Sequence, residues 1–254
     1  MAIPLRKTNE IEKLRTANIA VAKTLNYLAQ NVKAGMTLKE VDALGEEFLD
    51  NLNARPSFKG LYGFPNAICT SLNEVIIHGI PSDVVLKEGD ILGIDIGTEI
   101  DGWYGDAAIT MPIGKISKED EELIACAKDA LYYAIDIIRE GMRFKELSKE
   151  IENFIVSRGY QPLVRFCGHG IGRKPHCEPE IPNYVDAPNV KSGPKIKNGM
   201  VFCLEPMVCQ KGREPIILDN DWDVVSEDRL RGSHYEHTVA VIDGKAVILS
   251  KVQE

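Results

Sequence analysis

Two aspartates that lie close together in the chain have the surroundings expected of metal ligands. Asp95 lies in an apolar, β-branched run over residues 91–100, Asp106 lies in a second run over residues 103–113, and Asp101-Gly102 joins the two runs. Asp-Gly between two such runs predicts a β-hairpin with a two-residue loop. With that loop the two carboxyl groups are diagonal neighbours on one face, about 7–8 Å apart at the backbone, where they could hold one cation. A three-residue loop would instead place them on opposite faces.

A second set of chemically active residues follows from an internal repeat. Three pairs of segments match in the same order in the two halves: residues 35–40 with 141–146, residues 78–80 with 169–171, and residues 94–95 with 204–205. Asp95 therefore corresponds to Glu205, and Glu236 on a later strand takes the role of Asp106. The matches predict two lobes related by a pseudo-two-fold axis, over about residues 9–113 and 117–250, within one domain that spans residues 1–254.

Four carboxylates and one imidazole make up the predicted metal centre. His169, in the sequence Gly-His-Gly-Ile-Gly, adds its imidazole to Asp95, Asp106, Glu205 and Glu236. Buried acids are costly unless they are paired or bind a cation. The set suffices for two adjacent divalent ions that share bridging carboxylates and a water. Because oxygen ligands dominate and only one imidazole is present, the set favours Mn²⁺, Fe²⁺ or Co²⁺ and admits Zn²⁺.

Two further histidines flank Glu236 in the chain. His237 follows it directly, and the alternation of side chains along a strand directs His237 to the opposite face. His234 and His237 together form a His-x-x-His pair. We interpret this pair as unrelated to the metal centre.

The elements that must position these residues are helices that cover a sheet. The segment 9–34 places its apolar residues on one helical face: Ile11, Leu14, Val21, Leu25 and Leu28. Gly35 is predicted to end this helix, and Thr37 with Glu40 has capping-box spacing at the start of the next. Residues 117–140 predict a third helix that ends at Gly141. With the short β-branched runs, these segments predict an α+β fold in which helices pack on a mainly antiparallel sheet.

Composition and hydropathy indicate several classes of protein to which the chain does not belong. The chain has 254 residues and a net charge of −8, with 30 Lys and Arg against 38 Asp and Glu, which argues against nucleic-acid binding. No apolar run approaches the roughly 18–20 residues of a membrane span, and residues 1–10 lack the apolar core of a secretion signal. The six cysteines form no Cys-x-x-Cys pair, so we expect reduced thiols in the cytoplasm.

The order and spacing of five motifs resemble the bacterial type I methionine aminopeptidases, from residue 3 to about residue 250. The motifs are residues 73–81 (NEVIIHGIP), Asp95 with Asp106, residues 168–172 (GHGIG), residues 205–207 (EPM) and residues 235–238 (YEHT). The resemblance implies the pita-bread fold and metal-dependent removal of the initiator methionine, with a preference for a small second residue. It also implies the distribution of ligands: Asp95 on the first ion, His169 and Glu205 on the second, Asp106 and Glu236 on both.

The same resemblance implies which residues act on the substrate. Glu205 is the general base, His176 stabilises the oxyanion, and His78 contacts the scissile amide nitrogen. Phe64, Cys69 and Trp222 match the walls of the pocket for the methionine side chain. The chain departs from the family pattern near this pocket at Phe58, Leu61, Pro175 and Ser233-His234.

Two alternative functions stay open from the sequence. An Xaa-Pro aminopeptidase or prolidase shares the fold but carries an additional N-terminal domain, whereas about eight residues precede the first predicted helix here. A non-catalytic pita-bread protein that binds partners or RNA would have lost ligands, and all five are present. We therefore expect an enzyme that acts on N-terminal Met-peptides and nascent chains, with transient ribosome contact and neither membrane nor specific nucleic-acid binding. The absence of an obvious exposed apolar stripe in the sequence favours a monomer.

Overall fold

Two helices precede a run of strands in each half of the chain in this computed structural model, which describes residues 3–186 and 189–252. The helices are α1 (Thr8–Asn31), α2 (Leu38–Asn51), α3 (Lys118–Ile137) and α4 (Phe144–Ser157). The strands are β1 (Arg55–Pro56), β2 (Cys69–Leu72), β3 (Val75–Ile77), β4 (Ile91–Ile100), β5 (Trp103–Pro112), β6 (Gln161–Pro162), β7 (Cys167–Gly170), β8 (Cys177–Pro182), β9 (Val201–Leu204), β10 (Met207–Cys209), β11 (Pro215–Ile217), β12 (Val224–Ser226), β13 (Gly232–His234), β14 (Glu236–Ile242) and β15 (Lys245–Ile248). None of these helices is both long and apolar enough to span a membrane.

The strands form one large sheet and two small ones. The large sheet has the order β1-β4-β5-β14-β9-β7-β8, with β2 beside β4 and β15 beside β14. The small sheets have the orders β13-β10-β6 and β11-β12-β3. Every pairing between these strands is antiparallel, which confirms the sheet type predicted from the sequence.

The β4–β5 hairpin has the register that the Asp-Gly loop predicts. Ile100 pairs with Trp103, so the loop contains only Asp101 and Gly102, whose φ angles are 52° and 73°. Positive φ at both loop residues is what a type I′ turn requires, and its twist matches that of the flanking strands. Asp95 and Asp106 therefore lie on the same face of the sheet, and the alternative three-residue loop is excluded.

Each pair of helices covers its own half of the large sheet. On the first half, Val21 and Leu28 of α1 belong to one buried cluster with Leu92 and Ile96 of β4. On the second half, a separate cluster joins α3 and α4 to β9 and β14, through Leu131, Ile151, Phe202 and Val239. Burial of each such side chain contributes about 1.5–3 kcal/mol relative to exposure, so the two clusters fix the helices on the sheet.

Both long helices end before the glycine that was predicted to end them. Helix α1 stops at Asn31 and α3 stops at Ile137, four residues short of Gly35 and of Gly141. Each glycine instead donates its backbone N–H to a chain segment that leads into a strand. The Gly35 N–H binds the Leu86 carbonyl at 2.8 Å, and the Gly141 N–H binds the Ile196 carbonyl at 2.9 Å.

These matched hydrogen bonds extend to the next residues of both halves. The Leu86 N–H returns a bond to the Met36 carbonyl at 2.8 Å, and the Ile196 N–H returns one to the Met142 carbonyl at 2.7 Å. Thr37 then forms an isolated antiparallel β-bridge with Val85. Arg143 bridges Lys195 in the same antiparallel sense. The correspondence supports our proposal that residues 9–113 and 117–250 are repeats within one domain.

Candidate metal centre

A cavity of about 800 Å³ is lined by every residue that the sequence analysis assigned to the site. These residues are Asp95, Asp106, His169, Glu205 and Glu236, the histidines His78 and His176, and the apolar residues Phe64, Cys69 and Trp222. Phe58 and Leu61, two of the positions where the chain departs from the family pattern, also line the cavity.

Three of the carboxylates come from neighbouring strands of the large sheet. Asp95 on β4 lies opposite Ala108 on β5, and Ala108 in turn lies opposite Glu236 on β14. Asp106 lies on β5 two residues before Ala108, on the same face. Because the alanine side chain is small, the carboxylates on either side of it can approach one another.

The backbone at Asp106 is held from two directions. Its N–H donates to Asn18 Oδ1 of helix α1 at 3.2 Å, and its carbonyl accepts from the Thr238 hydroxyl of β14 at 2.8 Å. The Asn18 amide nitrogen donates to the Leu14 carbonyl at 2.9 Å, which fixes the side chain that holds Asp106. Packing of α1 on the sheet thus determines where the Asp106 carboxylate points.

The other two ligands come from strands that are distant in the chain. Glu205 follows β9 directly, and Pro206, which has no N–H, ends the strand there. Asn183 donates to the Glu205 carbonyl at 2.9 Å. His169 lies on β7 between two glycines, and a side chain at Gly168 or Gly170 would overlap a backbone carbonyl oxygen of the neighbouring strand. The glycines therefore allow β7 to bring His169 against the carboxylates.

Distances within the cluster are those of ligands that surround a cation. His169 Nε2 lies 3.5 Å from Glu205 Oε1 and 3.9 Å from Asp106 Oδ2, while His169 Nδ1 lies 3.1 Å from the Gly170 carbonyl oxygen. Three buried carboxylate oxygens, on Asp95, Asp106 and Glu236, have no hydrogen-bond partner in the described part of the chain. Unpaired buried carboxylates are strongly destabilising, and a bound cation removes that cost.

Electrostatics lead to the same conclusion. Burial raises the pKa of Asp95 to about 7. Burial, followed by repulsion from neighbouring carboxylates, also raises the pKa values of Asp106, Glu205 and Glu236 well above their usual range. Burial lowers the pKa of His169 to about 3, so its imidazole is neutral, as a metal ligand must be. The residues therefore fit a centre of divalent cations, which would supply the positive charge that this cluster lacks.

The two other histidines of the cavity lie beside the cluster rather than in it. The His176 ring is 4.4 Å from the His169 ring and stacks on Tyr62 at 6.0 Å. His78 adopts a φ of 60°, a left-handed conformation that is uncommon for histidine and places its ring against Phe166 at 5.5 Å. Burial lowers the pKa of His176, and burial followed by the proximity of His176 lowers that of His78 to about 4. Both imidazoles are therefore neutral near pH 7.

An apolar pocket adjoins the carboxylates. Phe64 and Trp222 meet edge to face with ring centroids 5.0 Å apart, and Cys69 pairs with Asp95 across the β2–β4 ladder. Burial raises the pKa of the Cys69 thiol, so it stays protonated and acts as an apolar wall. Phe58 and Leu61 pack into the same cluster. The pocket can thus hold an unbranched apolar side chain next to the predicted metal ligands.

The sequence analysis interpreted His234 as unrelated to the metal centre, but the structure places its side chain beside two of the predicted ligands. His234 ends β13, and its Nε2 lies 3.8 Å from Glu205 Oε2 and 4.0 Å from Glu236 Oε2. Residues two apart on an extended chain point the same way, so the alternation that turns His237 away from the centre turns His234 towards it. The opposite orientation of His237 is confirmed, since its ring nitrogens lie 3.2 Å from the Tyr132 hydroxyl and 2.8 Å from the Ser250 hydroxyl.

Comparisons with known proteins agree with this arrangement. Residues 12–243 match the metallopeptidase family M24. The methionine aminopeptidase of Helicobacter pylori (strain ATCC 700392 / 26695) is 58% identical over 254 residues, which cover 99% of this chain and 100% of that protein.

Solved structures extend the comparison to the fold. The methionine aminopeptidase of Thermotoga maritima superposes with a TM-score of 0.95 at 34% identity, over 99% of this chain and 100% of that one. The prolidase of Pyrococcus furiosus shares the fold, with a TM-score of 0.80 at 23% identity, over 98% of this chain and 66% of that one. The pita-bread fold that the sequence motifs implied is confirmed.

Proposed function

The chain belongs to metallopeptidase family M24 and, within it, to the methionine aminopeptidases, and we propose that it removes the initiator methionine from nascent proteins with two divalent ions. The observation that carries this proposal is the cavity in which five metal-type ligands adjoin an apolar pocket. The first feature suits hydrolysis of an amide, and the second suits a thioether side chain.

In this proposal five residues hold the ions: Asp95, Asp106, His169, Glu205 and Glu236. When bound, the ions supply Lewis-acid polarisation of the scissile carbonyl and a water that loses a proton readily. We assign Fe²⁺, Mn²⁺ or Co²⁺ to the centre, with Zn²⁺ as an alternative. The unpaired carboxylate oxygens support the presence of metal, and they do not choose among these ions.

The protein's own groups then act on the substrate from defined positions. The Glu205 carboxylate takes a proton from the attacking water, because as a ligand of the centre it would lie beside that water. His176, neutral and next to His169, donates a hydrogen bond to the oxyanion of the tetrahedral intermediate. His78, on the side of the cavity next to Trp222, contacts the amide nitrogen that leaves.

The pocket determines which peptides are cut. The methionine side chain enters between Phe64, Cys69 and Trp222, where a polar side chain would lose its hydrogen bonds and a β-branched one would meet the walls. The second residue of the peptide lies near His78 and His176. A bulky side chain there would displace the scissile carbonyl, and a displacement of about 1 Å can cost about a hundredfold in rate.

A peptide panel tests the proposal. With metal added, Met-Gly-Ser, Met-Ala-Ser and Met-Ser-Ser should be cleaved with high kcat/KM, whereas Met-Lys-Ser, Met-Phe-Ser and Leu-Ala-Ser should be cleaved poorly. The Trp222→Ala variant should raise KM for Met-Ala-Ser and leave the metal content unchanged. Ile217→Ala, an exposed position on the nearby strand β11, is the matched control and should change neither.

Several outcomes would contradict the proposal. Equal kcat/KM for Met-Ala-Ser and Leu-Ala-Ser would indicate an aminopeptidase of broad specificity. Preferential cleavage of Ala-Pro peptides, or hydrolysis of creatine, would indicate another activity of the same fold. Absence of any hydrolysis with every metal tested would favour a non-catalytic protein.

The setting of this activity is part of the same proposal. We propose a cytoplasmic monomer that meets nascent chains through transient contact with the ribosome. The net charge of −8 supports the absence of specific nucleic-acid binding.

A further inference from the structure

We propose that His234 is an additional ligand of the metal centre and that it binds one ion together with Glu205 and Glu236. The inference rests on the proposed metal centre and extends it by a second imidazole. It concerns a residue that the ligand set of five does not include.

The His234 imidazole is buried, and its Nε2 is unpaired within residues 3–186 and 189–252. Its side chain is 3% exposed, and Nε2 contacts no hydrogen-bonding group in the described residues. Two carboxylate oxygens lie near Nε2, Glu205 Oε2 at 3.8 Å and Glu236 Oε2 at 4.0 Å. These separations are too long for hydrogen bonds. Two ligand atoms that share one ion, each at about 2.0–2.2 Å from it, lie roughly 3–4 Å apart, which is the spacing seen here.

The two imidazoles flank Glu205 in the same way. His169 Nε2 lies 3.5 Å from Glu205 Oε1, and His234 Nε2 lies 3.8 Å from Glu205 Oε2. Each oxygen of this carboxylate is therefore accompanied by one imidazole nitrogen. A ligand atom from each of Glu205, His234 and Glu236 lies within 4.8 Å of the other two, so a single ion can reach all three.

The other roles open to a buried histidine do not fit His234. A histidine that serves only the core has its nitrogens paired, as His237 does with Tyr132 and Ser250. A histidine that contacts substrate lines the cavity, as His78 and His176 do, whereas His234 does not and lies behind the carboxylates. Because Nε2 of His234 is unpaired and faces two carboxylates, coordination of a metal ion is the role that remains for it.

The fold holds His234 firmly at this position. The Thr110 hydroxyl accepts from the His234 N–H at 3.0 Å and donates to the His234 carbonyl at 2.9 Å. A side chain of β5 therefore hydrogen-bonds both backbone groups of His234. The adjacent Tyr235 hydroxyl donates to the Thr110 carbonyl at 2.9 Å, and the Tyr235 N–H donates to the Pro206 carbonyl at 3.3 Å. A ligand needs such support, because loosely held side chains bind metal weakly.

A second imidazole changes the expected metal preference. With His169 as the only nitrogen ligand, an oxygen-rich set suits Mn²⁺ well. Two imidazoles move the preference towards ions that bind nitrogen more strongly, which are Fe²⁺, Co²⁺ and Zn²⁺.

Histidine-ring NMR tests the assignment directly. The chain contains only five histidines, so two-bond ¹H–¹⁵N correlation spectra of its rings give five spin systems, assigned with single His→Gln variants. On titration of the metal-free protein with Zn²⁺, the unprotonated nitrogens of His169 and His234 should move to metal-bound shifts. His237 is the matched control, and its ring signals should keep their positions because both nitrogens are already bonded within the protein.

Calorimetry with Zn²⁺ provides the second measurement. The His234→Gln variant should weaken the affinity of one of the two ions by about tenfold or more, since even partners that act through a metal ligand contribute about that much. The His237→Gln variant should bind both ions as the unaltered chain does. Circular dichroism of the metal-free variants checks that both are folded.

The outcomes separate this inference from the proposed function. Unchanged ring shifts of His234 in the Zn²⁺-loaded protein overturn the inference, and this holds even if His234→Gln does not fold. If Zn²⁺ binds and Met-Ala-Ser is cleaved while His234 is unaffected, the methionine aminopeptidase proposal stands alone. If no divalent ion binds at all, both fail.

Discussion

The first half of the chain provides its metal-type ligands from one hairpin, whereas the second half assembles its ligands from separate strands. Asp95 and Asp106 lie on β4 and β5, which a two-residue loop connects. His169 lies on β7, Glu205 follows β9, and Glu236 begins β14. The same kind of carboxylate pair is thus made by a local contact in one half and by long-range pairing in the other.

The difference lies in how each half fixes its geometry. In the hairpin the loop alone sets the register, so Asp95 and Asp106 face the same way as soon as β4 and β5 pair. In the second half the strand that carries Glu205 is interrupted by Pro206, and residues 207–209 leave the large sheet for a small one. Glu205 is then positioned by Asn183 and by neighbouring strands rather than by its own ladder.

The largest expected effect comes from removal of one carboxylate in the middle of the cluster. Asp106→Asn in the first half and Glu236→Gln in the second should each reduce the calorimetric stoichiometry of bound metal. We expect kcat/KM for Met-Ala-Ser to fall by about a thousandfold, because loss of the metals removes several kcal/mol of transition-state stabilisation. Asp95→Asn should keep one ion and lose less. Unchanged stoichiometry in Asp106→Asn would show that the two halves do not share the ions.

How much of the site the sequence could predict also differs between the two halves. The Asp-Gly loop and the alternation of apolar residues were enough for the β4–β5 register and for the shared face of Asp95 and Asp106. Glu205 and Glu236 were found through the repeat and the family motifs, because no local pattern relates strands so far apart. His234 was set aside because it was considered only as the partner of His237 in a His-x-x-His pair. The pairing of β13 with β10, which places His234 behind Glu205, depends on the closure of the whole sheet.

A second prediction concerns the histidines that serve both halves. His78 belongs to the first half and His176 to the second, and both lie outside the carboxylate cluster. Alanine at either position should lower kcat by about a hundredfold, since a group that transfers a proton or stabilises charge contributes at least about that much. The metal content should not change. Loss of metal in His78→Ala or His176→Ala would mean that the histidine is a ligand itself.

A third prediction tests the glycines that let each half bring its ligand close. A methyl group at Gly105 would lie 2.7 Å from backbone atoms of Ala17 and Asn18 in α1, next to Asp106. A methyl group at Gly168 would overlap the Cys203 carbonyl oxygen, next to His169. Because backbone cannot yield easily, Gly105→Ala and Gly168→Ala should each lower the free energy of unfolding by about 1–3 kcal/mol.

The control for these variants lies on β4. A methyl group at Gly93 would lie 3.3 Å from Ser71 Cβ and 3.4 Å from the Ser71 carbonyl oxygen, a milder approach than at Gly105 or Gly168, so the urea midpoint of Gly93→Ala should fall less than theirs. Equal destabilisation by all three substitutions would show that the close approach beside the ligands is not what the glycines provide.

The smallest expected effect is a dependence of stability on pH in the metal-free protein. Burial raises the pKa of Asp95 in the folded chain to about 7, above its usual value of 3.8. A carboxyl group with a raised folded pKa binds more protons in the folded state than in the unfolded state, so folding is favoured as the pH falls from above 7 towards 4. The free energy of unfolding of the metal-free protein should therefore decrease between pH 6 and pH 8, by about 1 kcal/mol from Asp95 alone.

Asp95→Asn should reduce this slope of unfolding free energy against pH, whereas Asp101→Asn, at the exposed loop of the same hairpin, should leave it as it is. With metal bound the slope should reverse, because protons and cations compete for the same carboxylates. Urea unfolding across this pH range, with and without metal, measures both slopes. A metal-free protein that becomes more stable as the pH rises would contradict the buried, unpaired state of the hairpin carboxylates.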